Sequence, residues 1–109
     1  MPGYYELKPS TDGQFNFTLK AGNHEIILTS QRYKTRKSAE SGIASCQKNS
    51  QNPKSFERKI AKDGRNYFTL KASNGQVIGT SGMYRASPSM EKGIKSVMNN
   101  GTGPVKVKE

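Results

Sequence analysis

A chain of 109 residues with a hydrophobic fraction of 31% has room for one thin core, such as a single sheet with helices on one face. One cysteine, Cys46, excludes an intramolecular disulfide and a cysteine-rich zinc site. The net charge of +10 is spread, with eight basic against four acidic residues in 1–54 and ten against four in 55–109. A sequence pI near 9.9 therefore permits attraction to nucleic acid without requiring it.

Residues 4–8 alternate at period two, with Tyr5 and Leu7 on one side and Tyr4, Glu6 and Lys8 on the other, which predicts a strand. Asp12-Gly13 supplies a turn, and residues 15–20 alternate so that Phe15, Phe17 and Leu19 share one face. Keeping Tyr5 and Leu7 on that face requires an odd loop, Thr11-Asp12-Gly13, with Gly13 in the left-handed conformation. The pair Asn23-His24 predicts a two-residue turn into a third strand, 25–29, with Ile26 and Leu28 inward and Ile27 outward.

From 37 to 49 the period changes. Strand alternation gives way to a helical stripe: Ala39, Gly42, Ile43 and Cys46 fall at i, i+3, i+4 and i+7, and Gly42 within it predicts close approach of the helix to a strand. Asn49-Ser50-Gln51-Asn52-Pro53 ends the helix and forms a linker. The same order then returns: strands at 56–60, 66–71 and 76–80, a turn at Asp63-Gly64, Ser87 as N-cap before Pro88, and a stripe of Met90, Gly93, Ile94 and Val97. The tail Val105-Lys106-Val107-Lys108 alternates like a short edge strand.

The return has a fixed offset of 51 residues, which pairs about twenty identical residues over roughly forty-six positions and carries Thr18-Leu19-Lys20-Ala21 onto Thr69-Leu70-Lys71-Ala72. The chain is one unit written twice, with repeat one at about 3–52 and repeat two at about 55–108 of a single domain. The expected fold class is α+β: one antiparallel sheet from both halves, two helices on one face, and an internal pseudo-two-fold axis.

Phe17-Thr18-Leu19-Lys20-Ala21 with Asn23, Tyr33 and Ala39-Glu40-Ser41-Gly42-Ile43-Ala44-Ser45 are answered by Phe68-Thr69-Leu70-Lys71-Ala72, Asn74-Gly75, Tyr84 and Glu91-Lys92-Gly93-Ile94-Lys95-Ser96-Val97. With these motifs nearly the whole chain resembles the YegP-like family of small bacterial proteins. The resemblance implies two β(3)-α-β motifs in one sheet, with the last strand of each exchanged into the other. It implies no activity, cofactor or site residue, since that family is uncharacterised. The chain departs from its usual pattern at His24, where glycine is usual, and at Cys46, where valine is usual.

Candidate chemistry is sparse. His24 and Cys46 answer to Gly75 and Val97, so neither belongs to a duplicated site; His24 is expected as an exposed turn residue and Cys46 as core. The acidic pairs Glu6/Glu57, Asp12/Asp63 and Glu40/Glu91 suggest turn and helix-terminus roles rather than paired catalytic carboxylates. No catalysis, metal or cofactor is expected, and the chain reads as soluble and cytoplasmic, without a membrane partner. Strand alternation places Tyr4, Lys8, Asn16, Thr18, Lys20, Ile27, Lys59, Tyr67, Thr69, Lys71 and Ile78 on the sheet face opposite the helices. The candidate partner-binding residues are Tyr4, Lys20, Ile27, Lys59, Tyr67, Lys71 and Ile78, for an unknown protein partner or self-association. Weak binding of single-stranded nucleic acid is the alternative.

Overall fold

A computed structural model describes residues 3–10 and 12–107. Strands β1 (Tyr4–Pro9), β2 (Phe15–Lys20) and β3 (Ile26–Thr29) precede helix α1 (Arg36–Asn49). A 3-10 turn (Pro53–Ser55) leads into β4 (Phe56–Ile60), β5 (Asn66–Lys71), β6 (Val77–Thr80), α2 (Ser87–Asn100) and β7 (Val105–Val107). The strands form one sheet in the order β4-β5-β6-β3-β2-β1-β7. The pseudo-two-fold axis runs between β6 and β3, which meet at the single ladder position Thr29 opposite Thr80.

The sheet is mixed. Six strands pair antiparallel as expected, while β7 lies parallel to β1, with Tyr5 opposite Val105 and Leu7 opposite Val107. The tail of repeat two is thus exchanged onto the edge of repeat one; the expected Lys108 end of that strand falls outside the described residues. Repeat one makes no such exchange. Its equivalent residues run through the 3-10 turn straight into β4.

The core lies between the sheet and both helices, and its largest fully buried side chains are Tyr5, Phe17 and Phe68. Each helix crosses to the other repeat: α1 packs on β2 and β6, and α2 on β5 and β3. The expected helix stripes are buried, with Asn49 added at the end of α1. Their glycines make room for tyrosine rings. A Cβ on Gly42 would stand 2.5 Å from the Tyr33 hydroxyl, and Gly93 stands against Tyr84 in the same way. Tyr33 stacks on Phe17 and Tyr84 on Phe68, each pair at an interplanar angle of 14°. The close approach predicted at Gly42 is therefore to an aromatic ring laid on the central strand.

Both helix starts differ slightly from expectation. Thr35 caps α1, its side chain accepting from the Ser38 amide at 3.1 Å, and Ala86, not Ser87, stands at the cap of α2. Glu40 and Glu91 lie beyond the first turns and pair instead with Arg36 and Arg58.

The β1–β2 loop closes as predicted between Ser10 and Gln14, with Gly13 at φ +81°; its Thr11 position lies outside the described residues. The β2–β3 loop does not match the two-residue turn. The Ala21 amide donates to the Glu25 carbonyl at 2.9 Å, which closes three residues, Gly22-Asn23-His24, with His24 at φ +69°. The register then shifts between Leu19 and Lys20, so that Lys20 faces Ile26, Leu19 faces Leu28, and Ile27 is the extra residue of a bulge. Repeat two shows the same shift, with Lys71 opposite Val77 and Leu70 opposite Gly79.

This bulge corrects two expectations. Ile27 and Ile78 are buried in the core cluster, whereas Ile26 is 55% exposed and Val77 is exposed beside it.

Candidate functional site: the open sheet face

Pairing registers put one residue of every strand into a single row across the face opposite the helices. The row runs Lys106, Glu6, Thr18, Thr29, Thr80, Thr69, Glu57. Four threonines occupy the four central strands, where neighbouring chains lie about 4.8 Å apart. Three of the row's pairs, Glu6/Glu57, Thr18/Thr69 and Thr29/Thr80, are identical at the repeat offset, as are the flanking lysine pairs Lys8/Lys59 and Lys20/Lys71.

The row ends in ion pairs. Lys20 Nζ lies 3.3 Å from both oxygens of Glu6, with both side chains mostly buried. At the other end Glu57 accepts from Lys71 at 2.7 Å and Lys59 at 3.0 Å. Hydrogen bonds from Lys71 and then Lys59 hold the Glu57 carboxyl below the usual carboxylate range, and Glu57 in turn raises Lys59. At neutral pH Glu57 is thus an acceptor only, not an acid. Next to Glu57 in the row, Thr69 is buried and its Oγ1 has no hydrogen-bond partner among the described residues.

Where β3 and β6 diverge, a depression of about 430 Å³ opens on the pseudo-two-fold axis. Its lining consists of five offset pairs: Ile26/Val77, Leu28/Gly79, Thr29/Thr80, Ser30/Ser81 and Gln31/Gly82. The serine hydroxyls are committed to the fold. Ser30 accepts from the Phe17 amide and Ser81 from the Phe68 amide, each at 2.9 Å. Exposed Ile26 and Val77, with Thr29 and Thr80, leave an apolar rim around hydroxyls.

Of the residues singled out from sequence, Tyr4, Lys20, Lys59, Tyr67 and Lys71 lie on this face, by their register with the row. Lys106 Nζ sits 4.3 Å from the Tyr4 ring centroid, and the Tyr4 hydroxyl is 3.0 Å from His24 Nδ1. Ile27 and Ile78 are withdrawn into the core, and Ile26 and Val77 take their place. Thr29 and Thr80 escaped the sequence reading, although their identity at the offset and their outward parity were available.

The solitary groups are structural. Cys46 is fully buried, its thiol pushed up to about 12 by burial, with Sγ 3.8 Å from the Ile78 carbonyl oxygen. Among the described residues no three His, Cys, Asp or Glu side chains gather into a metal site, and no helix is long and apolar enough to cross a membrane.

The domain of unknown function DUF1508 matches the chain twice, over residues 10–57 and 61–106. A UPF0339 protein of Acinetobacter baylyi is 58% identical over 102 residues, covering 94% of this chain and 92% of that protein. The UPF0339 protein YegP of Escherichia coli is 53% identical over 102 residues, covering 94% and 93%. The solution structure of YegP from E. coli, a protein of unknown function, superposes with a TM-score of 0.93 at 51% identity, covering 99% of this chain and 94% of that one. The solution structure of a UPF0339 protein from Shewanella oneidensis gives 0.92 at 47% identity, covering 98% and 92%. With both repeats matched and relatives aligned over nearly their whole length, this chain belongs to the YegP-like UPF0339/DUF1508 family of uncharacterised bacterial proteins.

Proposed function

We propose that this protein is a small non-catalytic binding module that receives a protein partner on its open sheet face. The observation that carries this reading is the row of threonines, identical in both repeats, with the buried Thr69 hydroxyl at one end, without a hydrogen-bond partner among the described residues, and exposed Ile26 and Val77 beside the middle of the row. Hydroxyls and short apolar groups on a sheet face suit a protein surface better than phosphate.

A photocrosslinking residue at position 77, compared in cells with one at the exposed helix position 48, tests this. The reading expects one discrete protein adduct from position 77 that Thr29→Arg removes. No adduct, or the same adduct from position 48, would sink it.

Weak binding of single-stranded nucleic acid through Tyr4, Tyr67 and the surrounding lysines is the second reading, favoured by Lys106 lying over the Tyr4 ring. Against it, Lys20, Lys59 and Lys71 already face glutamates. Anisotropy with a labelled single strand separates the two: binding that falls steeply with salt supports nucleic acid, and none at low salt removes it.

A further inference from the structure

The two edges of the sheet are unequal. At the β1 edge the Tyr5 amide donates to the Pro104 carbonyl at 2.8 Å and β7 continues alongside. At the offset positions the Phe56 amide donates to the Pro53 carbonyl, so the hydrogen bond that starts the exchanged strand is kept within the linker. The strand that should follow is missing, because residues 54–56 carry the chain into β4 itself. No described strand lies on the outer side of β4. Since the Phe56 amide points away from β5, the alternation of an antiparallel ladder turns the amide and carbonyl groups of Arg58 and Ile60 outward as well.

We propose that β4 pairs antiparallel with β4 of a second copy of this chain, about a two-fold axis through Arg58. The sequence Phe56-Glu57-Arg58-Lys59-Ile60 is self-complementary in that register. Glu57 stands opposite Lys59 of the second copy, twice, on the open face. Phe56 stands opposite Ile60 of the second copy, twice, on the helix side, covering an isoleucine that is 73% exposed in the single chain. Arg58 meets its own copy, but each guanidinium already carries its counter-ion: Glu91 accepts from Arg58 Nε at 2.5 Å and from Arg58 Nη2 at 2.7 Å. Two such pairs across the axis alternate in sign around a ring of four charges.

The contrast with the covered edge supports the choice of a second copy. Leu7, beneath β7, is fully buried, and its offset partner is Arg58. Charged residues blunt an edge against indiscriminate pairing, and here their order admits one antiparallel register while disfavouring others. The interface is small, so the dimer is weak and concentration-dependent.

Sedimentation equilibrium over a concentration series, with amide shifts mapped by NMR, tests the proposal. A monomer–dimer equilibrium is expected, with shifts centred on residues 56–60. Glu57→Lys and Lys59→Glu each set like charges opposite one another and should weaken self-association by about tenfold or more, while an equimolar mixture of the two restores it as a heterodimer. Both substitutions are at the surface, and each variant's own spectrum reports its fold. Arg58→Pro removes an outward amide and should abolish the dimer. Thr29→Arg, on the open face, should leave it unchanged, which keeps this proposal distinct from the one above. A monomer at every concentration, a dimer mapped elsewhere, or a mixture that fails to restore association would overturn it.

Discussion

The two repeats agree along the open-face row and disagree beneath it, on the core side of the seam. Across the row, Glu6, Thr18 and Thr29 have the same residue at their offset positions. On the core side of the pseudo-two-fold axis the partners are unequal: a Cβ on Gly79 would stand 2.6 Å from Leu28 Cδ2, and Leu28 and Gly79 are offset partners. Ser50 and Gly101 repeat this at the helix ends, where a Cβ on Gly101 would run into the Ser50 side chain. In each pair one side chain fills the space that both would need. Two identical units meeting on an axis must use residues that fit against themselves, and fusing them into one chain removes that restriction.

Breaking the seam should have the largest effect. Leu28→Ala leaves a cavity on the axis and should cost about 2–5 kcal/mol, while Gly79→Leu forces a second large side chain into the same space, costing about 1–3 kcal/mol or more. Denaturant midpoints of the two variants check both. Next comes the covered edge. Ending the chain after Gly103 removes β7 and the acceptor of the Tyr5 amide and uncovers Leu7, for a loss of about 2 kcal/mol measured in the same way. The smallest effect belongs to the row itself. Thr69→Val removes a buried hydroxyl that has no hydrogen-bond partner among the described residues, so stability should stay level or rise by up to about 1 kcal/mol. A partner bound through that hydroxyl would be released by the same change.

Much of this was legible in the sequence, because period two and period 3.6 alternate cleanly. Phe15, Phe17 and Leu19 declare a half-buried strand, and Ala39, Gly42, Ile43 and Cys46 a helix stripe, and the structure buries Phe17, Leu19 and the whole stripe, with Phe15 partly buried. The third strand was misread because Ile26-Ile27-Leu28 is apolar throughout and carries no period to mark a bulge. Its loop was misread because Asn23-His24 resembles a two-residue turn, whereas His24 occupies the left-handed position that closes three residues. The threonine row could not be seen as a row: its middle joint is the pairing of β3 with β6, strands about fifty residues apart in sequence, and local alternation says nothing of which strands become neighbours.

Leu28 and Gly79 form one complementary pair across the axis of a duplicated fold. A double-mutant cycle tests it most directly, comparing Leu28→Gly, Gly79→Leu and the chain carrying both. Strong coupling is expected: each single change destabilises, and the double recovers most of the loss, because the leucine has only changed sides. If the two losses simply add, the seam is not a shared space and the two halves do not complement each other there.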